Sequence, residues 1–115
     1  MDGFMIDRAD GRADGKDWTE DYEELPGRCQ HLDHLGVDDD GRRGGPRLHQ
    51  HPYAETFIIR RGWATFTIGS EELQGHAGQV LVVPADTPHK FATGRDGYEG
   101  IHIHANYRFV TEWLE

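Results

Sequence analysis

Gly44-Gly45-Pro46-Arg47-Leu48-His49-Gln50-His51-Pro52-Tyr53-Ala54-Glu55-Thr56-Phe57-Ile58-Ile59-Arg60-Arg61-Gly62 is the stretch whose reading decides the fold. Thr56 to Ile59 have high β-propensity, and the run reads as extended chain. Residues two apart on a strand point to the same face. His49 and His51 therefore project together, and Glu55 joins them if the alternation holds through Pro52. Two imidazoles and a carboxylate on one face, in apolar surroundings, form a metal-ligand set. The bland alternative is two surface histidines and a surface glutamate, and for a bare His-x-His it is the stronger one. A third imidazole from elsewhere in the chain would decide between them.

Downstream, Leu48 to Ile59 reads as a strand pair or one long bent strand, and Arg60-Arg61-Gly62 as a turn. Ala64, Phe66 and Ile68 alternate with Thr65 and Thr67, a half-buried strand. Gly69 to Glu72 reads as a hairpin turn, Leu73 as the start of the return, and Gly75-His76-Ala77-Gly78 as another turn with His76 exposed. Gln79 to Val83 is an apolar strand that stops at the two-proline turn Pro84-Ala85-Asp86-Thr87-Pro88. His89 follows at once. If its strand lies beside the one carrying His49 and His51, four donors converge: His49, His51, Glu55 and His89. Gly94 to Gly97 reads as a turn, and Tyr98 to Ala105 as a strand in which Ile101 and Ile103 alternate with His102 and His104. If the isoleucines fill the core, those histidines point outward. If not, they face the cavity as acid/base groups or as partners of the ligands.

Upstream, Trp18 to Pro26 reads as a lead-in strand or a short helix, and Arg28 to Val37 as a strand whose inward parity is open. His31 and His34 on it read as structural or exposed. Asp38-Asp39-Asp40-Gly41 lacks the further oxygen ligands that a calcium loop needs, so it reads as a solvated turn. Residues 1–17 contain Arg8-Ala9-Asp10-Gly11 repeated as Arg12-Ala13-Asp14-Gly15, and are expected to form a disordered tail. Residues 18–115 are then a single domain. At the other end Asn106 offers a cap, and Phe109, Val110, Trp113 and Leu114 recur at spacings of three and four. That predicts a short C-terminal helix against the barrel or a partner subunit. Short strands with a turn signal every eight to twelve residues give an all-β protein, and a jelly-roll β-barrel is the closure that best removes exposed edges.

Composition narrows the partners. The chain has 115 residues and a formal charge of −9, from 12 Lys+Arg against 21 Asp+Glu. An acidic surface repels phosphates, so neither nucleic acid nor an anionic membrane is expected. No apolar run approaches the ~20 residues of a membrane span, and the N-terminus is too acidic for a signal peptide. Cys29 is the only cysteine, which rules out an intrachain disulfide. A cytoplasmic location is expected.

Read together, the two histidine-bearing stretches resemble the cupin superfamily. Its first motif is Gly, five residues, His-x-His, three or four residues, Glu, six residues, Gly; His49, His51, Glu55 and Gly62 match, while Gly44 stands one position late. Its second is Gly, five residues, Pro-x-Gly, two residues, His, three residues, Asn; Gly78, Pro84 and His89 match, with Asp86 for the second glycine and Thr93 for the asparagine. The tail from Arg108 to Leu114 is similar to that of small single-domain cupins. The resemblance implies one divalent transition metal (Fe, Mn, Ni, Zn or Cu) held inside the barrel by three imidazoles and Glu55, and a homodimer.

On strand parity, Tyr53, Phe57 and Ile59 share the face of His51 and Glu55, and Phe91 that of His89, which would wall the site with apolar surface. Four protein ligands leave open positions for a small organic molecule. Two enzymatic readings follow. One is a dioxygenase. The other is an isomerase, cyclase or lyase, and in either case Glu55 and His104 are the catalytic candidates. The non-catalytic alternative is a cupin that binds a sugar or small metabolite.

Overall fold

Two long antiparallel strands, bent in register, position everything else. The computed structural model describes residues 18–25, 28–35 and 44–115. The expected tail at 1–17 and the acidic turn at 38–41 lie outside them. The described strands are β1 (Trp18–Leu25), β2 (Arg28–Leu35), β3 (His49–Gln50), β4 (Glu55–Ile68), β5 (Glu71–His76), β6 (Val80–Val83), β7 (His89–His104) and β8 (Glu112–Trp113). All eight join one curled sheet. β4 and β7 pair from Glu55↔His104 to Ile68↔His89 and take part in both halves of the curl. One half runs β1, β2, the C-terminal part of β7, the N-terminal part of β4, then β6. The other runs β8, β3, the N-terminal part of β7, the C-terminal part of β4, then β5. This is the expected all-β jelly roll.

Its core follows from the period of two. Phe57, Ile59, Ala64, Phe66, Val83, Phe91 and Tyr98 are buried and in contact. Phe66 sits edge-on to Phe57 at 5.2 Å between centroids, and Phe91 lies 5.4 Å from Phe66 and 5.5 Å from Tyr98. Each such side chain contributes about 1.5–3 kcal/mol by leaving water.

Three expectations are corrected. Arg60-Arg61-Gly62 is not a turn: β4 runs through it, with irregular register between Ile59 and Arg61 and between Gly62 and Ala64. Nor is Gly94 to Gly97 a turn, since β7 runs through it. Gly62 has φ 69° and Gly97 φ 84°, and a Cβ on Gly62 would collide with the Gly97 carbonyl. The glycines bend two paired strands together rather than ending either, as bulges do.

The third correction is the C-terminal helix. Asn106 to Glu115 has no helical turn, and its one regular piece is β8 on β3. A ten-residue helix is marginal by itself, whereas the main chain of the extended segment finds hydrogen-bond partners along its length. Tyr107 O accepts from Glu24 N at 2.7 Å, Phe109 N donates to Glu23 Oε2 at 3.0 Å, and Leu114 N donates to Leu48 O at 2.9 Å. Asn106 uses its side chain on Arg108 O at 3.0 Å instead of capping a helix. Phe109 is thereby laid against the cavity, while Val110, Trp113 and Leu114 stay well exposed. Among the described residues no helix is long and apolar enough to cross a membrane.

Candidate metal centre

Cross-strand pairing builds the site. His49 on β3 is the Cα partner of His89 on β7, and Glu55 on β4 is the partner of His104 on β7. Side chains of paired residues share a face, so the imidazoles of His49 and His89 come within 4.3 Å between centroids. His51 follows the short β3 and lies 4.8 Å from His49 and 5.3 Å from His89. The alternation through Pro52 holds: His49, His51, Tyr53, Glu55 and Phe57 are all buried. One donor atom from each of His49, His51, Glu55 and His89 falls within 4.8 Å of the others.

Local structure keeps these strands in place. Gly44 N donates to Thr93 Oγ1 at 3.0 Å, and Thr93 N donates to Gly44 O at 2.9 Å, which pins the approach to His49. A hydroxyl at position 93 thus does the clamping. Asp86 N donates to His51 O at 2.7 Å and ties the two-proline turn to the His51 loop. Asp86 has φ 58°, the left-handed region that explains why the related motif carries glycine there.

The outer nitrogens fix the inner ones. His49 Nδ1 faces Arg47 O at 2.7 Å, His51 Nδ1 faces Val110 O at 2.8 Å and His89 Nδ1 faces Thr87 O at 2.8 Å. Carbonyls only accept, so each Nδ1 carries the proton and each Nε2 turns a lone pair inward. Glu55 Oε1 is 3.1 Å from His51 Nε2 and 3.2 Å from His89 Nε2. These are acceptors facing acceptors, and His51 Nε2 is buried with no hydrogen-bond partner. A cation resolves that conflict. One proton would relieve it at His51 or at His89, whereas a cation relieves it at both. Nitrogen and carboxylate donors of this kind suit a first-row divalent ion.

His102 and His104 both face the cavity and are buried, while Ile101 and Ile103 are half-buried on the other face. The sequence left these orientations open because the outer face of this sheet is apolar too. Each is held by a tyrosine. Tyr53 Oη is 2.6 Å from His104 Nδ1, and Tyr98 Oη is 2.7 Å from His102 Nε2. Val110 N donates to Tyr53 Oη at 3.2 Å, so the Tyr53 proton goes to His104 Nδ1 and the His104 proton sits on Nε2. That N–H points to Glu55 Oε2 at 3.4 Å, and His102 Nδ1 lies 3.8 Å from the same oxygen. Burial would raise the Glu55 pKa, yet any positive charge that His51 or His89, then His104 or His102, places against it, a proton or a bound cation, holds it well below the usual carboxylate range. Burial pulls His104 down to about 4 and pushes Tyr53 up to about 12.

A cavity of about 470 Å³ opens beside the cluster, walled in part by Phe57, Phe91, Phe109 and Trp113. Phe57 and Phe91 are where strand parity put them. Ile59 is buried in the core behind Phe66 and Gly75 and is not part of the cavity wall. Phe109, Trp113, Asp21 and His31 reach it only through long-range pairing, for which the sequence carries no local signal.

The sequence model of the family described as "Cupin domain" matches residues 39–103, more than half of the chain. No curated protein matches it. Among solved structures, oxalate decarboxylase of Bacillus subtilis, studied for its Mn(II) centers, superposes with a TM-score of 0.74 at 18% identity. The match covers 85% of this chain and 28% of that one, so the chain spans little more than a quarter of its length. A cupin superfamily protein from Desulfitobacterium hafniense gives 0.67 at 15% identity, over 89% of this chain and 84% of that one. A conserved protein of unknown function from Streptococcus pyogenes gives 0.67 at 17%, over 83% and 78%. At these identities the likeness is one of fold.

Proposed function

The chain belongs to the cupin domain family, and within it we propose a metal-dependent enzyme acting on a small organic molecule, with His49, His51, Glu55 and His89 as the metal ligands. The observation that supports this most is the set of inward lone pairs facing the Glu55 carboxylate. A divalent transition ion there (Fe, Mn, Ni, Zn or Cu) supplies Lewis acidity, and a redox-active one supplies dioxygen chemistry as well.

The protein's own groups weigh toward proton-transfer chemistry, that of an isomerase, cyclase or lyase, over dioxygenation. Glu55 is held ionised, which suits a ligand better than a base. His104 is neutral at pH 7 and keeps its proton on Nε2. The N–H makes only a long contact with Glu55 Oε2, and turning from it a neutral imidazole donates to an oxygen on which negative charge develops. Tyr53 fixes the tautomer, and Phe57, Phe91 and Phe109 exclude water. Pairing of two copies belongs to the same proposal. It is supported by the edge strand β6, whose Val80 and Val82 are 63% and 56% exposed.

Metal analysis of the purified and reconstituted protein tests the reading. One equivalent of a transition metal is expected, with a loss of affinity on the order of a hundredfold or more in His49→Ala and His89→Ala. Substoichiometric metal in the reconstituted protein would refute the site. Oxygen uptake with catechols, flavonols or β-diketones would move the reaction to a dioxygenase. Binding of a carbonyl or enol ligand without turnover would reduce the protein to a binding module.

A further inference from the structure

Register lines up two rows of inward side chains across the first half of the sheet. One row is Cys29, His104, Glu55 and Val83, and belongs to the site already described. The other is Asp21, His31, His102 and Phe57, each the Cα partner of the next. It starts at the open side of the cavity and ends in its wall. Asp21 Oδ1 accepts from His31 Nδ1, and the side chains of His31 and Asp21 are 27% and 58% exposed. The His31 ring lies 5.5 Å from that of His102 and 6.3 Å from that of Phe109. Both members of the pair line the same cavity as Glu55. A carboxylate on one imidazole nitrogen fixes the ring and strengthens it as a hydrogen-bonding group.

We infer that Asp21 and His31 are a second anchor for the cavity's ligand: they bind a hydroxyl at its far end, and the ligand is a flat, uncharged molecule of one or two rings with hydroxyls at both ends. The inference rests on the metal reading above for the near end only. Size, shape and charge support it. β2, which carries His31, is two strand spacings from β4, which carries Glu55, or roughly 10 Å. A two-carbon diacid is too short to reach both. The wall between them is largely aromatic, from Phe57, Phe91, Phe109 and Trp113, and favours a flat apolar body. The described lining holds two carboxylates, Asp21 and Glu55, and among the described residues neither Lys nor Arg. With His31 neutral, a divalent ion and these two carboxylates cancel, and the chain's net −9 disfavours an anion.

The full chain loaded with Zn(II), which is redox-silent, tests the anchor by fluorescence titration with 2-naphthol, 2,7-dihydroxynaphthalene and oxalate. The second hydroxyl is expected to tighten binding about tenfold, and both naphthols should bind tighter than oxalate. Asp21→Asn and His31→Leu should erase the tenfold preference, while an unchanged Zn(II) stoichiometry and circular-dichroism spectrum show that the variants fold. Equal affinities for the two naphthols, a preference that survives both substitutions, no naphthol binding, or tighter binding of oxalate would each overturn the inference. Stripping the metal separates it from the metal reading. If 2-naphthol affinity does not change while the dihydroxy preference persists, the metal reading fails and the anchor stands.

Discussion

Glu55 is the residue on which the site turns, because four imidazoles address its two oxygens. The imidazoles at Oε1 turn lone pairs toward it, and the one at 3.4 Å from Oε2 turns an N–H toward it. Tyr53 maintains the second arrangement. Replacing Tyr53 with Phe removes the hydroxyl proton from His104 Nδ1 and the acceptor from Val110 N, leaving buried polar groups unpaired. Tyr53→Phe should cost about 2 kcal/mol in a urea titration, and an unchanged midpoint would show that the hydroxyl has no such part. Asp86 allows a comparison of backbone conformation alone. At φ 58° an alanine has neither glycine's freedom nor aspartate's tolerance. Asp86→Ala should lose about 1 kcal/mol, whereas Asp86→Gly should stay within about 0.5 kcal/mol of the parent in the same titration.

At the scale of elements, what was legible in the sequence was whatever burial dictates locally. Period two placed His49, His51, Glu55 and Phe57 on one face, and Ala64 and Phe66 on the inner side of β4. Pro84 to Pro88 delivered His89 to the start of β7. Three features were not legible. Glycine next to charged residues signals a turn and a bulge equally, so Arg60 to Gly62 and Gly94 to Gly97 could be told from turns only by their partner strands. His102 and His104 were ambiguous because isoleucines on the opposite face are half-buried as well. The apolar spacing after Asn106 imitates a helix, while the segment's hydrogen bonds to β1, Leu48 and Tyr53 come from residues 57 to 86 positions away. The bulge in β4 carries its own prediction. A methyl group at Gly62 meets the Gly97 carbonyl, which is backbone of the paired strand, and at φ 69°. Gly62→Ala should destabilise by on the order of 3 kcal/mol, more than Gly69→Ala, where a Cβ meets nothing within 4 Å. Equal costs would mean that φ alone, not the approach of the strands, demands glycine.

For the whole molecule, the buried groups set a pH window. His104 titrates at about 4 in the fold against 6.5 ordinarily, so between those values the unfolded chain takes up a proton that the folded one refuses. Stability of the metal-free protein is then complete above about pH 6.5, falls as pH drops toward 4, and His104 accounts for about 3 kcal/mol of that loss. His49, also pulled down by burial, adds to the same limb. The alkaline side has the opposite sign. Burial, then Glu23, pushes Cys29 from 9.0 up to about 11, and burial pushes Tyr53 from 10.0 up to about 12. The unfolded chain therefore ionises first as pH rises through 9 to 12, and stability falls again. Urea-unfolding free energies of the metal-free protein should form a plateau between about pH 6.5 and 9 with a limb on each side, and His104→Asn should flatten most of the acid limb. An acid limb unchanged by that substitution would show that His104 is not what the fold keeps neutral. Metal should deepen the contrast, because a bound ion at a thousandfold its Kd adds about 4 kcal/mol at neutral pH. That increment should vanish as falling pH protonates the ligand imidazoles, so the acid limb of the loaded protein should be the steeper of the two.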